Sequence, residues 1–502
     1  MSFTIGTTMD RNLKCLALIV TLLNVGLIEI GLVAAEPDET ARPIPATRPE
    51  MKLLLEDMKS RPTRIPLPDL TDEEREKLDE RAEDYEARLR YHYLIETEGS
   101  AFGSRPRVST SVSAAGGSAA STAMALRDFR RNADEKMSLT YGFKTELFWI
   151  VSRTNNCQYC LGHQEQKLAA AGLSEDRIAA LDLEWEAFTP AERAAYTWAR
   201  KLTWSPNAVV DTDIAALREH YTELQILEMT MSIAGNNAIN RWKEGTGVAQ
   251  SQHGTRFFEN ASTGAPRETL PIDTFITPTA VRYQNKRSVV AALALDAEGT
   301  SNRAAVGVSS AIESRSQVES QLAAMQLRRS RLPLASSEET RAAFGESIAT
   351  KTPPAWMRLL AHFPNESLRR IDSLLDAKVM ENDLSALDRA RVSWVVARQD
   401  RAWYAVALAM QRLQELGQTA DQVYALDGDQ SLLSATERAI LVMARKLATS
   451  PITLRDEEVA DVVRLAGPRR TTQLINFVTS RAYFDRVTEA AGLSTSEDQA
   501  SN

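Results

Sequence analysis

One offset organises this chain. Shifted by 245 positions, the sequence meets itself without a gap over about a hundred residues. Trp149 falls on Trp394, Val151 on Val396, Arg153 on Arg398 and Tyr159 on Tyr404. Leu168 meets Leu413 and Gly172 meets Gly417. Ala199-Arg200-Lys201-Leu202 meets Ala444-Arg445-Lys446-Leu447, and Ser205-Pro206 meets Ser450-Pro451. Far downstream, Arg241, Glu244 and Gly247 meet Arg486, Glu489 and Gly492. Self-similarity at one fixed spacing marks a structural unit used more than once. The reading is an internal duplication, so the fold must be one that can be built twice.

The local signals inside the unit are helical. Thr189-Pro190-Ala191-Glu192 places a capping threonine, a proline at the first helical position and a glutamate at the third. Thr222-Glu223-Leu224-Gln225 opens another apolar helix, and Ser434-Ala435-Thr436-Glu437 does so in the second copy. Long β-branched alternations are rare, so the expected class is all-α. With 502 residues, 43% of them apolar, the chain can bury ordinary globular cores, and its length suggests two or three domains. The expected layout is a first helical domain over 70–250, a linker over 251–330, a second and degenerate domain over 331–493, and a tail over 494–502. Residues 36–69 read as an exposed leader rich in Pro, Arg and Glu. The charged run 70–96 reads as a solvated helix face, and the Ser/Gly/Ala-rich stretch 100–121 as a flexible insertion.

Arg11 and Lys14 precede an apolar run from Cys15 to Ala35, and Val33-Ala34-Ala35 before Glu36 has the form of a cleavage site. Residues 1–35 therefore read as an export signal, giving a periplasmic or extracellular protein. The alternative is a membrane anchor over 15–35, because the run is long for a signal, though Asn24 and Glu29 interrupt it. A net charge of −8 argues against a nucleic-acid partner.

Removing the signal leaves two cysteines. Cys157, Cys160 and His163 are three residues apart and share one drifting helix face. The second copy has Ala402, Ala405 and Leu408 at these positions. A thiolate is the reactive form of cysteine. A helix N-terminus favours it, and an imidazole can move its proton. Asn155 or Asn156 is the expected N-cap, which puts Cys157 in the first turn. Other readings use the same residues. Two cysteines and a histidine are three zinc ligands, with Glu146 or a water as the fourth. Haem attachment needs a histidine where Leu161 stands, and a thioredoxin-type site needs a βαβ context. Plain core cysteines would leave an exported, non-enzymatic helical scaffold or binding module.

On Cys157-x-x-Cys160 with its histidine, the Thr189–Pro206 stretch, and Asn236, Asn240 and Arg241, residues 123–250 resemble the alkylhydroperoxidase D / carboxymuconolactone decarboxylase family. Its redox-active members carry Glu…Cys-x-x-Cys-x-x-x-His. The resemblance implies an all-α fold and a thiol-dependent peroxidase or disulfide reductase. Cys160 would attack, Cys157 would resolve, His163 would assist and Glu146 would feed a proton relay. A redox-active cysteine pair then stands in place of any cofactor or metal. The implied partners are a hydroperoxide or disulfide substrate and a thiol reductant. Two positions depart from the pattern. The family histidine falls on Gln164, one residue after His163, a rotation of ~100° on a helix. The family glutamate falls on Thr145, next to Glu146. Tyr159, Gln164 and Trp149 are candidate pocket residues; Trp149, recurring as Trp394, also reads as core. The decarboxylase branch, which acts on a cyclic lactone, lacks the cysteines that this chain keeps. Family domains assemble through helical faces, so the two copies are expected to pack as a pseudo-dimer, with a homo-oligomer possible in addition.

Overall fold

Polar side chains that satisfy the first backbone N–H groups of each helix set the pattern. In the computed structural model, residues 43–94, 134–250, 274–295, 312–345, 352–374, 383–428 and 430–499 are described. Among them the regular elements are helical, with no strand. They all belong to one compact unit, Arg42–Asn502. The expected export signal or anchor (1–35) and the flexible insertion (100–121) lie outside the described residues. No described helix is long and apolar enough to cross a membrane.

The first block contains α1 (Arg48–Asp57), α2 (Asp72–Leu78), α3 (Tyr85–Tyr93), α4 (Tyr141–Thr154), α5 (Gln158–Ala170), α6 (Glu175–Ala180), α7 (Pro190–Trp204), α8 (Asp211–Arg218) and α9 (Glu223–Thr246). The capping boxes expected at Thr189 and Thr222 are formed at the starts of α7 and α9. The second block contains α10 (Arg315–Gln326), α11 (Ala386–Asp400), α12 (Trp403–Glu415), α13 (Ala420–Ala425), α14 (Ala435–Ala448), α15 (Asp456–Ala466) and α16 (Pro468–Ala491). The bounds of α5, α6 and α9 recur 245 residues later in α12, α13 and α16. Both long helices end on a left-handed glycine, Gly247 and Gly492. Trp149 and Trp394 are fully buried. Beside them Arg153 Nε pairs with Asp182 at 2.9 Å, and Arg398 Nε with Asp427 at 2.9 Å.

Residues 43–67 are not an exposed leader. Met51, Leu55 and Ile65 are buried, and Arg48 reaches both oxygens of Glu165 on α5 at 2.7 Å. Their contacts recur at the end of the expected linker, at an offset of 267 instead of 245. Arg64 N donates to Thr246 O (3.3 Å) and Arg331 N to Ala491 O (2.7 Å). Arg61 pairs with Glu244 (3.1 Å) and Arg328 with Glu489 (2.8 Å). Arg64-Ile65-Pro66-Leu67 corresponds to Arg331-Leu332-Pro333-Leu334. Proline- and arginine-rich composition suggested exposure, but these arginines cap the carboxylates and carbonyls at the ends of α9 and α16. The described parts of 251–330 are docked too. Val290, Ala291, Val318 and Met325 are buried, and Ser288 Oγ donates to Asp182 (2.7 Å). The tail also engages, since Tyr404 OH donates to Asp498 (2.9 Å).

The two blocks touch along α9 and α16. A β-carbon on Gly245 would stand 2.7 Å from Ile475 Cγ2, so the backbone there approaches its neighbour closely. Two arginines cross in opposite directions. Arg241 Nη2 donates to Ala448 O at 2.8 Å, and Arg486 Nη2 donates to Thr203 O at 3.1 Å.

Candidate functional site

The cysteine pair sits where α4 turns into α5. Asn155 ends α4, and Asn156 takes a left-handed conformation (φ 56°) that asparagine tolerates better than most residues. The N-cap of α5 is Cys157 itself, with neither asparagine in that role. The chain needs both asparagines to reverse direction, so the helix starts one or two residues later than the spacing suggested. Its second-block counterpart turns the same way, with Arg401 left-handed and Ala402 at the N-cap.

Asn155 ties this turn to both blocks. Its Nδ2 donates to Asn237 (2.8 Å) and Asn240 (2.9 Å) on α9. Its Oδ1 accepts from Ser450 Oγ (2.7 Å), and its carbonyl accepts from Ile452 N (3.1 Å). The second block thus helps to position the cysteines of the first. At the equivalent position Asp400 takes Arg486 through both oxygens, at 2.8 and 3.1 Å. Arg241, lacking such a carboxylate, donates to Asn237 and to the Ala448 carbonyl instead.

Both thiols are free and buried. Burial pushes the Cys157 thiol well above the usual thiol range. Its hydrogen bond to Cys160 and the negative charges of Cys160 and Glu244 push the same way, and a backbone hydrogen bond from Cys160 only partly opposes them. The Cys157 thiol is therefore held in its protonated form. Cys160 faces a different set of charges. The Lys243 ammonium feels its charge, and so does the Tyr159 hydroxyl. Lys243 Nζ lies 4.3 Å from the Tyr159 ring centroid, within cation–π range. Burial opposes the Lys243 charge, but Glu86 and Tyr159 hold its pKa above the ordinary lysine value. Glu86 also accepts from Trp242 Nε1 (2.6 Å) and pairs with Arg90 (2.9 Å).

Lys243 and Glu86 escaped the sequence reading. Glu86 lies in the run 70–96, whose charge predicts a solvated face, and it is α3 that brings this part of the run onto α9. The signal was Leu78 and Leu89 inside the charged run; both are buried.

The other candidates fall in two places. The His163 ring stacks on Tyr159 with centroids 6.2 Å apart and planes at 13°. The Gln250 side-chain amide bridges the Tyr159 carbonyl (3.3 Å) and the His163 N–H (3.2 Å) in the orientation that satisfies both. It lies against Gly162, where a β-carbon would stand 2.7 Å from it. Gln164 is buried, its Nε2 without a hydrogen bond among the described residues. Glu146 is engaged elsewhere. Its Oε1 pairs with Arg177 (2.8 Å) and its Oε2 accepts from Tyr196 OH (2.7 Å). Burial raises its pKa against the pull of Arg177. Trp149 donates to Glu165 from within the core.

Alkylation should report the Cys157 environment. Only the thiolate reacts, and burial disfavours it, so Cys157 should react more slowly than in the unfolded chain. Its rate should still be rising above pH ~8.5, where an ordinary thiol is half ionised. Mass-resolved alkylation from pH 7 to 10, folded and in urea, makes the comparison; equal folded and unfolded profiles would refute it.

Residues 150–201, which include both cysteines and His163, match the model of the carboxymuconolactone decarboxylase family. No curated protein matches the chain.

Proposed function

We propose that this protein is a thiol-dependent oxidoreductase that reduces hydroperoxides or disulfides through Cys160 and Cys157. The observation that carries the reading is the asymmetry of the pair. Cys157 holds its proton and hydrogen-bonds Cys160, while Cys160 interacts with the Lys243 ammonium. With a hydroperoxide, the Cys160 thiolate attacks the terminal oxygen. An S–O bond forms as the O–O bond breaks, sulfur loses two electrons, and the departing alkoxide takes a proton to leave as an alcohol. The Cys157 thiol then displaces hydroxide from the Cys160 sulfenic acid, giving the disulfide and one water. A dithiol reductant returns two electrons and two protons. Tyr159, its pKa raised by burial, keeps a hydroxyl proton beside Cys160. His163, half-buried against Tyr159, links it to solvent. Glu146 supports the helix packing through Arg177 and Tyr196 in this scheme and takes no part in the relay.

The chain is further proposed to be a tandem duplication whose halves form an internal pseudo-dimer. In a two-fold interface residue i meets j and j meets i. Arg241 to Ala448 and Arg486 to Thr203 are such a pair, because 241 and 486, like 203 and 448, are 245 apart. The second copy, with Ala402 and Ala405, would then support the first without thiol chemistry. Residues 1–35 are proposed to direct export, which would place the reductant outside the cytosolic thiol pool.

The test is a thiol count. The purified protein should lose both thiols on treatment with a hydroperoxide and recover them with dithiothreitol. Unchanged thiols after peroxide, and after an oxidised disulfide donor, would sink the redox reading and leave the scaffold reading standing.

A further inference from the structure

The second block holds a cavity of about 290 Å³ at the place that the cysteine site occupies in the first. Ala405 and Leu408, the counterparts of Cys160 and His163, line it. Its volume is close to that of small-molecule sites, which begin at ~300 Å³. The lining is not inert. Asp485, which stands where the first block has Asn240, is fully buried. Neither of its oxygens has a hydrogen-bond partner among the described residues. A buried carboxyl group without a donor is costly to keep. Three guanidinium groups share the lining: Arg389, Arg412 and Arg481. Arg481 stacks over Phe477 and Phe484, at 5.3 and 5.0 Å from their ring centroids, and both rings line the cavity. Exposed Gln411 and Glu415 lie at its edge, so it communicates with solvent.

We propose that this cavity binds a small organic monoanion that carries a hydroxyl group on an apolar or aromatic frame. The arginines would take the carboxylate, since planar guanidinium groups match it in shape and charge. The rings would cover the apolar frame. Asp485 would exchange a hydrogen bond with the hydroxyl, which both donates and accepts. Burial, reinforced by the Asp400 charge, holds the Asp485 carboxyl well above its usual range. An empty core would need none of these polar groups. This site is independent of the thiol chemistry: it uses no cysteine, and its test reads no redox change.

The probe is 2-hydroxybenzoate, titrated calorimetrically into the full chain. Saturable binding is expected. Benzoate, which lacks the hydroxyl, and phenol, which lacks the carboxylate, should each bind about tenfold more weakly or less. Leu408→Trp fills the cavity and should abolish the heat while the helical circular-dichroism signal is kept. Arg481→Gln, which creates no steric conflict, should weaken binding about tenfold or more. Absence of saturable binding to the parent chain would overturn the proposal. Binding that survives both variants, or phenol binding as well as 2-hydroxybenzoate, would overturn it too.

Discussion

Cys160→Ser should abolish peroxide-dependent thiol loss, with a fall in rate of about 10³-fold or more, as expected when a nucleophile is removed. A serine hydroxyl has no thiolate-like form at neutral pH, and Lys243 cannot make one. Cys157→Ser should behave differently. Its Cys160 still attacks, but the sulfenic acid has no resolving thiol and persists. A sulfenate-selective reagent should label this variant and leave both the parent and Cys160→Ser unlabelled. The order of the two roles rests on the proton that Cys157 retains through burial and its bond to Cys160. If labelling appears in Cys160→Ser and is missing from Cys157→Ser, the roles are reversed. Both side chains are buried at the start of α5, so the substitutions differ by one atom each and should leave the fold in place.

Asp400→Ala should destabilise the fold by about 3–5 kcal/mol, the range for removing one partner of a buried ion pair. Arg486 is fully buried and rests on Asp400 through two hydrogen bonds. Its remaining Nη2 bond reaches Thr203 in the other block. Alanine leaves the guanidinium without its counter-charge at the contact between the blocks. Asp400→Asn should cost less, about 1–3 kcal/mol, because an amide oxygen still accepts a bond. Asparagine is also what the first block has at this position, Asn155, beside a buried Arg241. Urea unfolding midpoints of the three proteins give the comparison. If Asp400→Ala loses no more than an exposed substitution does, within about 0.5 kcal/mol, Arg486 does not depend on this pair.

How much of this was legible beforehand varies residue by residue. The starts of α7 and α9 were, because capping is local: Thr189 with Glu192, and Thr222 with Gln225, lie within one turn. The core position of Trp149 was legible through its recurrence. The candidate site was only half legible. Cys157, Cys160 and His163 are neighbours in the chain, so their shared helix could be read from spacing. Glu86 reaches Lys243 across a sequence separation of 157, and no local pattern encodes that. Glu146 shows the converse. Its place near the family glutamate was readable from spacing, but its partners Arg177 and Tyr196, 31 and 50 positions away, were not.

The sequence by itself determined the all-α class, the 245-residue offset and the single cysteine pair. All three depend on residue type and short-range periodicity, which the chain carries wherever it folds. Only the tertiary structure decided that 43–67 is part of the packed unit. Its counterpart lies 267 residues on, not 245, and the 22-residue difference hides the match from any single offset. The tertiary structure also buries the Cys157 thiol, which raises its pKa, and brings Lys243 over Tyr159. Desolvation and charge act through space, and here the charges come from Glu86 on α3 and from Lys243 and Glu244 on α9, which meet the cysteine turn only in the folded chain.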